Sequence, residues 1–321
     1  MVLPAGHTVR APRLGDEDVH ALHALVRDYT LAVTGAEDFS LDDARDELTE
    51  PGFDPARDGR LVHDGTGRLV GAGTVHRKNG GGLADVDVVA DDVAVRRWLF
   101  DWVLGRARDA GREAGHQEVT VHHGCYHDDE ALRDALAEHG FHVATTFNRL
   151  RADHAGPLAA PEPPDGVVLR VAGDDDAVRR AAHHVLMTSF TDHFGFARMP
   201  YEEWLEQHER RPAFAWSWLW VAELAGSAVG VLECDDRFAE VERCGYVAEL
   251  GVVAAARGRG IAKFLLRHAF AADASVGRAG TLLHVDTDNV TPALGLYESV
   301  GMRPVLVIDA WRRRVAHRAE V

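Results

Sequence analysis

The chain has 321 residues, more than one hydrophobic core usually organises, so two domains of about 150 residues are expected. Its 46 % apolar and 27 % charged residues are those of an ordinary globular protein, and a formal charge of −16 opposes attraction to nucleic acid or anionic lipid. The start lacks the charged-then-apolar order of a secretory signal, no apolar run reaches membrane-spanning length, and three cysteines cannot all pair within one chain, so a cytoplasmic protein without nucleic-acid or membrane partners is expected.

In chain order, HTVRAPRLGDEDVHALHALV (7–26) reads as a strand, an acidic helix start and an amphipathic helix. The acids Asp16, Glu17 and Asp18 suit the positive end of a helix dipole. RLVHDGTGRLVGAGTV (60–75) reads as a hairpin turning at Gly65 and Gly67. EALRDALAEHGFHV (130–143) reads as a helix closed by Gly140 and followed by a strand. Residues 152–166, rich in Pro and Ala, read as a linker.

Beyond the linker the same order returns. VVLRVAGDDDAVRRAAHHVL (167–186) answers the first segment, LWVAELAGSAVGVLEC (219–234) the hairpin, and TPALGLYESVGMRPV (291–305) the glycine-closed helix. Val229-Gly230 matches Val70-Gly71 and Gly301 matches Gly140, an offset of about 160 residues. One unit is therefore expected twice, residues 1–151 and 167–321, each a mixed sheet flanked by helices in the α/β class. Trp216, Trp218 and Trp220 alternate as core positions of a strand should.

The second half alone carries ARGRGIAKFLL (256–266), after a strand expected over 246–253 and before a long helix. Backbone N–H groups at a helix start, with the dipole behind them, favour an anion. Gly258 and Gly260 keep side chains away from those amides, and Arg257 and Arg259 add charged donors, a pattern suited to a pyrophosphate. Downstream, a second strand (282–286) leads to Asn289 and then to a helix carrying Tyr297 and ending at Gly301.

Arg257-Gly258-Arg259-Gly260-Ile261-Ala262 after a strand, with Asn289, Ala293, Tyr297 and Gly301 at their spacings, resembles the GNAT superfamily of acyl-CoA-dependent N-acetyltransferases. Two such units in one chain resemble the mycothiol synthase-like tandem proteins. The resemblance implies two tandem folds of mostly antiparallel mixed sheet, a catalytic C-terminal domain, and acetyl-CoA as co-substrate without a metal. It implies that backbone groups of Val252 and Val253 bond the pantetheine arm, that residues 257–262 hold the pyrophosphate, and that Asn289 reaches the pantetheine or phosphate region. Direct acetyl transfer to a primary amine of a small molecule, in a ternary complex, is the implied reaction, carried by a monomer or homodimer. Likeness to mycothiol synthase points to a glycosylated cysteinyl amine, and other tandem relatives to aminoglycosides or secondary-metabolite amines.

Tyr297 holds the family's position for the general acid that protonates the leaving thiolate. For the base, many relatives have Glu where this chain has Tyr246. Glu249 is the nearest acid on that strand, but it has the opposite parity to Tyr246 and faces the acceptor only if a bulge reverses the alternation. Glu233, Glu242 and a water relay are the alternatives. Asp192 and His193, beside Phe194 and Phe196, are the candidate grip on the acceptor amine, with capping or surface exposure as the alternative for Asp192. A non-catalytic acyl-CoA-binding or regulatory protein, and a peptide or protein N-acetyltransferase, are the competing functions.

In the first half, LADVDVVADDVAVRRWLFDWVL (83–104) has no glycine, and Asp91 and Asp92 stand where a pyrophosphate needs positive charge. Leu136 matches Tyr297 and Asp128 matches Asn289, so that half is expected to keep the fold without the chemistry. His122, His123, Cys125 and His127 match no usual zinc spacing, and strand alternation points the first two opposite ways.

Overall fold

The computed structural model describes residues 2–191, 196, 198–211, 213–286 and 293–316. The chain forms two compact units, Met1–Thr146 with Val307–Val321, and Phe147–Leu306. The first unit contains β1 (Thr8–Arg10), α1 (Asp16–Thr34), α2 (Leu41–Thr49), α3 (Pro55–Asp58), β2 (Gly59–His63), β3 (Leu69–Lys78), β4 (Leu83–Ala90), α4 (Val93–Glu113), β5 (Glu118–Tyr126) and α5 (Glu130–Glu138), after which β6 (His142–Asp153) begins. The second contains β7 (Val167–Val171), α6 (Asp176–Ser189), α7 (Tyr201–Glu209), β8 (Leu219–Leu224), β9 (Ser227–Asp235), β10 (Cys244–Val252), α8 (Ile261–Ser275), β11 (Gly280–Asp286) and α9 (Ala293–Ser299), before β12 (Arg303–Ala316) starts.

Local chemistry accounts for these elements. The first turn of α1 holds Asp16, Glu17 and Asp18, and its end is Gly35 in the left-handed conformation. Asp18 is buried and accepts 2.6 Å hydrogen bonds from the Arg10 guanidinium and the Arg13 N–H. Val19, Leu22 and Leu25, spaced by three, pack on Leu61, Leu69 and Ala72. On the other face of the sheet, α4 buries Val95, Leu99, Phe100 and Val103. The helix lies so close to β3 that a Cβ on Gly71 would stand 2.7 Å from Val95 Cγ1. The matching Gly230 of β9 would put a Cβ 3.1 Å from Ile261 and 3.2 Å from Leu265 of α8. The Val-Gly pair that relates the halves in sequence is thus the place where a helix touches each sheet.

The first unit's strand order is β1-β2-β3-β4-β5 with residues 307–316 of β12 after β5, and the second's is residues 147–153 of β6, then β11-β10-β9-β8-β7. The described ladders are antiparallel except β4–β5 and β10–β11, so each unit is a mixed, mostly antiparallel sheet with helices packed on it.

The unit boundaries differ from the division at 151 and 167, because the strands that follow α5 and α9 do not stay with their own halves. Residues 147–153 pair with β11, from Phe147↔Asp286 to Asp153↔Gly280. Residues 308–316 pair with β5, from Ile308↔Tyr126 to Ala316↔Glu118. The tryptophan stripe also differs: Trp216–Trp218 is a 3-10 turn ahead of β8. Trp216 packs there on Trp204 and His208, and the Arg278 guanidinium lies 4.4 Å from the Trp218 ring centroid.

Candidate active site

β10 and β11 pair in parallel only over Cys244↔Gly280, Gly245↔Thr281 and Tyr246↔Leu282. Both strands run on, β10 to Val252 and β11 to Asp286, without further mutual pairing, so an opening forms between them. The departure coincides with a bulge. Val247 pairs with Cys234 and Glu249 with Glu233, which leaves Ala248 as the extra residue on β10. The bulge reverses the alternation. Tyr246 lies opposite Asp235 and Glu249 opposite Glu233, and residues 233 and 235 share a face of β9, so Glu249 shares the face of Tyr246.

The three candidate acids have different surroundings. Glu233 is buried, its Oε2 3.0 Å from His208 Nε2 and its Oε1 2.7 Å from Arg211 Nη1. Burial alone would raise its pKa, but His208 and Arg211 outweigh it and hold the carboxyl below its ordinary value. Glu242 accepts from Arg149 at 3.2 Å and Arg151 at 2.9 Å. The half-buried Glu249 carboxylate has no hydrogen-bond or ion-pair partner among the described residues. Enclosure, and then the negative charge of Glu233, push it up to about 8 against the opposing pull of Arg211 and Arg237. Of the three, it is the carboxyl free to take a proton.

Tyr297 projects from α9 onto the core that includes Val252, Ile261 and Val285. Burial pushes its phenol up to about 12, and the charges of Glu249 and Tyr246 add to the rise. The fold therefore brings Glu249 and Tyr297, 48 residues apart in sequence (297 − 249), into one electrostatic neighbourhood. The helix holding Tyr297 stops where Gly301 takes a φ of 91° and Met302 N–H donates to the Tyr297 carbonyl at 3.1 Å.

The residues after β10 form the start of α8. Gly258 has φ 76°, and Gly260, the N-cap, has φ 78°. Both are in the left-handed region that favours glycine, and a Cβ at either would meet nothing within 4 Å. Among the described residues no side chain caps α8, and its first turn holds no acid. Arg259 is exposed, Lys263 lies in that same first turn, and Arg257 is exposed with its Nε donating to Val252 O at 3.1 Å. Cations at the positive end of a helix are unfavourable unless an anion joins them. Ile261 is buried, which anchors the turn, and Ala262 leaves the first amides uncovered.

At the strand end, Val253 N–H donates to Val229 O at 3.0 Å and its carbonyl accepts from Ala256 at 2.9 Å. The bond from residue 253 to 229 makes Val252↔Gly230 a non-hydrogen-bonded pair, so the Val252 N–H points away from β9, toward the opening. Val252 rather than Val253 thus offers a backbone donor there. Asn289, Asp192 and His193 lie outside the described residues.

Several residues of this site were not anticipated. Tyr246, where relatives carry Glu, has its hydroxyl 2.9 Å from His284 Nδ1. Arg149 Nε donates to His284 Nε2 at 3.0 Å, so the neutral ring carries its proton on Nδ1 and donates to Tyr246. Burial, reinforced by Arg149 and Arg237, pushes His284 down to about 3 and keeps it neutral. His284 stands on the second strand expected over 282–286, but nothing local marks its partner, which lies 135 residues away.

The first unit repeats the strand geometry without the anion turn. β4 and β5 pair in parallel over Leu83↔Thr120 to Asp85↔His122 and then part. At the start of α4, the Asp92 side chain accepts from Ala94 N–H at 2.8 Å and Val95 N–H at 3.0 Å, closing that helix end with its own carboxylate. Leu136 is fully buried. His122 lies 3.7 Å from Asp85, while His123 faces the core and accepts from Val88 N–H at 3.3 Å.

Residues 180–302 match the acetyltransferase (GNAT) family. A mycothiol acetyltransferase from Thermobispora bispora is 32 % identical over 192 residues, 58 % of this chain and 63 % of the relative, so the match spans under two thirds of that relative's length. Among solved structures, a GCN5-related N-acetyltransferase from Sphaerobacter thermophilus superposes with a TM-score of 0.82 at 23 % identity, over 100 % of this chain and 99 % of that one. A tandem GNAT protein from the clavulanic acid biosynthesis pathway superposes with a TM-score of 0.71 at 17 % identity, over 98 % of this chain and 100 % of that one. Residues 180–302 are thus similar to the acetyltransferase (GNAT) family, and along its length the chain has the fold of these solved GNAT structures.

Proposed function

We propose that the chain is an acetyl-CoA-dependent N-acetyltransferase that acts on a primary amine of a small molecule, by direct transfer in a ternary complex in the Phe147–Leu306 unit. The observation that carries this reading is the bulge at Ala248, which puts an unpaired carboxyl, Glu249, on the face of Tyr246 and within electrostatic reach of Tyr297. The uncapped, cation-bearing start of α8 fits a pyrophosphate, and the β10–β11 opening fits the arm leading from it.

When bound, acetyl-CoA supplies the activated acetyl group as a thioester. The chain's own residues do the rest. Amides of Gly260 to Lys263, with Arg259, hold the pyrophosphate, and the Val252 N–H orients the group in the opening. Glu249, ionised, accepts the proton of the attacking amine on a carboxylate oxygen. As the nitrogen bonds the acetyl carbon and the C–S bond breaks, the Tyr297 O–H gives its proton to the departing sulfur, and the proton taken by Glu249 then returns to the Tyr297 oxygen, which restores both groups. Asp192 and His193 belong to this reading as the grip on the acceptor, and Asn289 as a contact to the pantetheine or phosphate region.

Thiol release over a panel of small amines, a glycosylated cysteinyl amine included, tests the assignment. Gly260→Asp is expected to abolish turnover, since it would give α8 the carboxylate plug that Asp92 gives α4. Retained turnover in that variant would sink the site. The alternative, a non-catalytic acyl-CoA binder, rests on Tyr246 standing where relatives have Glu and being held by His284. Calorimetric binding of acetyl-CoA with no turnover on any amine would favour it.

A further inference from the structure

The first unit contains a cavity of about 260 Å³ in the place where β4 and β5 part, walled by Tyr29, Phe39, Glu47, Asp87, Tyr126 and neighbouring backbone. Its position in the repeat is informative. Asp87 lies opposite Thr74 across β3–β4, three residues before Ala90↔Gly71. Glu249 lies opposite Glu233 across β9–β10, three residues before Val252↔Gly230. A carboxyl therefore stands at the same place in both openings, although only α8 keeps a helix end fit for a phosphate.

The cavity is built rather than left over. Glu47 Oε1 accepts from Thr74 and from His76 Nε2, and the second His76 nitrogen lies 2.7 Å from Glu50. Burial alone would depress His76, but these two carboxylates hold it protonated, raised to about 10, so it clamps Glu47 in place. Among the described residues Glu47 Oε2 and both Asp87 oxygens have no partner. Tyr29 and Tyr126 have their hydroxyls tied to Asp129 and Asp38 at 2.8 Å each, with ring centroids 6.0 Å apart, which leaves rigid aromatic walls. Asp87 stays exposed at the mouth of the cavity, yet desolvation by the surrounding protein atoms, then the charge of Glu47, push it up to about 7, a carboxyl that a neighbouring cation would hold ionised.

We propose that this cavity is a second ligand site, which holds a small organic ammonium ion between aromatic walls with Asp87 and Glu47 Oε2 as its acceptors. Carboxylate acceptors combined with aromatic rings are the chemistry that recognises an alkyl- or arylammonium head. The volume lies just below the range of about 300–1,000 Å³ for drug-sized ligands, so the guest is small. A metal ion is disfavoured by the donor set: among the described residues no group of three or more His, Cys, Asp or Glu is poised around one point. Asp92 already closes the adjacent helix end, so the unit keeps the amine half of the site without the half that would take a nucleotide.

The test uses hydrogen exchange of the full chain with tyramine, and with its uncharged N-acetyl derivative, at pH 8 without acetyl-CoA. Tyramine is expected to protect peptides covering 83–90 and 119–126, and the N-acetyl derivative is not. Asp87→Asn is expected to weaken that protection by about ten-fold or more in the half-saturating concentration. Peptides covering 246–253 report the second unit's opening separately, so failure of the proposed enzyme and failure of this site are distinguishable. Absence of protection at 83–90 and 119–126, equal protection by the uncharged derivative, or an unchanged midpoint in a folded Asp87→Asn would each overturn the proposal. Should Asp87→Asn unfold, the comparison of the two ligands on the unmodified chain decides.

Discussion

A carboxyl with a pKa of about 8 is half ionised only near pH 8, and Glu249 owes that value to its enclosure and to Glu233 across the ladder. In the proposed reaction Glu249 is the base and acts only when ionised, so kcat/KM is expected to rise with pH through about 8. Tyr297, pushed to about 12, stays protonated and imposes no descending limb below about pH 10. Glu249→Gln should remove the ascending limb and lower kcat/KM by about 10²–10⁴-fold, and Tyr297→Phe should lower kcat by about 10²-fold with the limb retained. The same shift has a stability consequence. The folded pKa lies above the ordinary 4.5, so the folded state binds more protons than the unfolded one between about pH 4.5 and 8, and stability falls as pH rises through that window. Glu249→Gln is therefore expected to melt higher than the parent at pH 8 and at nearly the same temperature at pH 4. Thermal melts at the two pH values check the sign, and a variant that melts lower at pH 8 would show that the carboxylate is stabilised by a partner.

Between β10 and α8, one extra residue decides which way the acid points. Deleting Ala248 restores the alternation and turns Glu249 to the opposite face, so activity is expected to fall at least about 10²-fold while acetyl-CoA binding, which we propose α8 to hold, persists in calorimetry. A deletion variant with near-parental turnover would remove Glu249 from the reaction. The sequence supplied the turn, the helix start and the parity conflict, because glycine pairs, uncapped cations and alternation are local. It left the bulge as a condition only, since a bulge follows from how two strands and a helix pack. Gly251 shows the constraint: a Cβ there would stand 2.4 Å from Ser189 Oγ of α6, a helix about 60 residues earlier in the chain. The same limit hid His284 and Arg149, whose roles exist only across paired strands, and the turn at Trp216–Trp218, where aromatic packing overrides alternation.

At the scale of the molecule, duplication was legible from the offset between halves, but not the exchange of closing strands. The sequence places a strand after each glycine-closed helix without saying which edge that strand meets. A cut at the linker, giving a fragment of residues 167–321, would take residues 147–153 away from β11. It would remove the fully buried Leu150 and the buried Ala152 from a core that includes Leu283 and Val285. Loss of one such leucine side chain costs about 2–5 kcal/mol, and the uncovered β11 edge adds unpaired N–H and C=O groups that invite aggregation. A fragment of residues 147–306 keeps that strand and omits residues 307–316, which pair with β5. The 147–306 fragment is thus expected to unfold cooperatively and to bind acetyl-CoA, whereas the 167–321 fragment should aggregate or melt at least about 10 °C lower. Circular-dichroism melts and calorimetry of the two fragments side by side measure this. Equal stability would mean that the β6–β11 pairing contributes little, and that the Phe147–Leu306 unit can close its sheet with the strand from its own half.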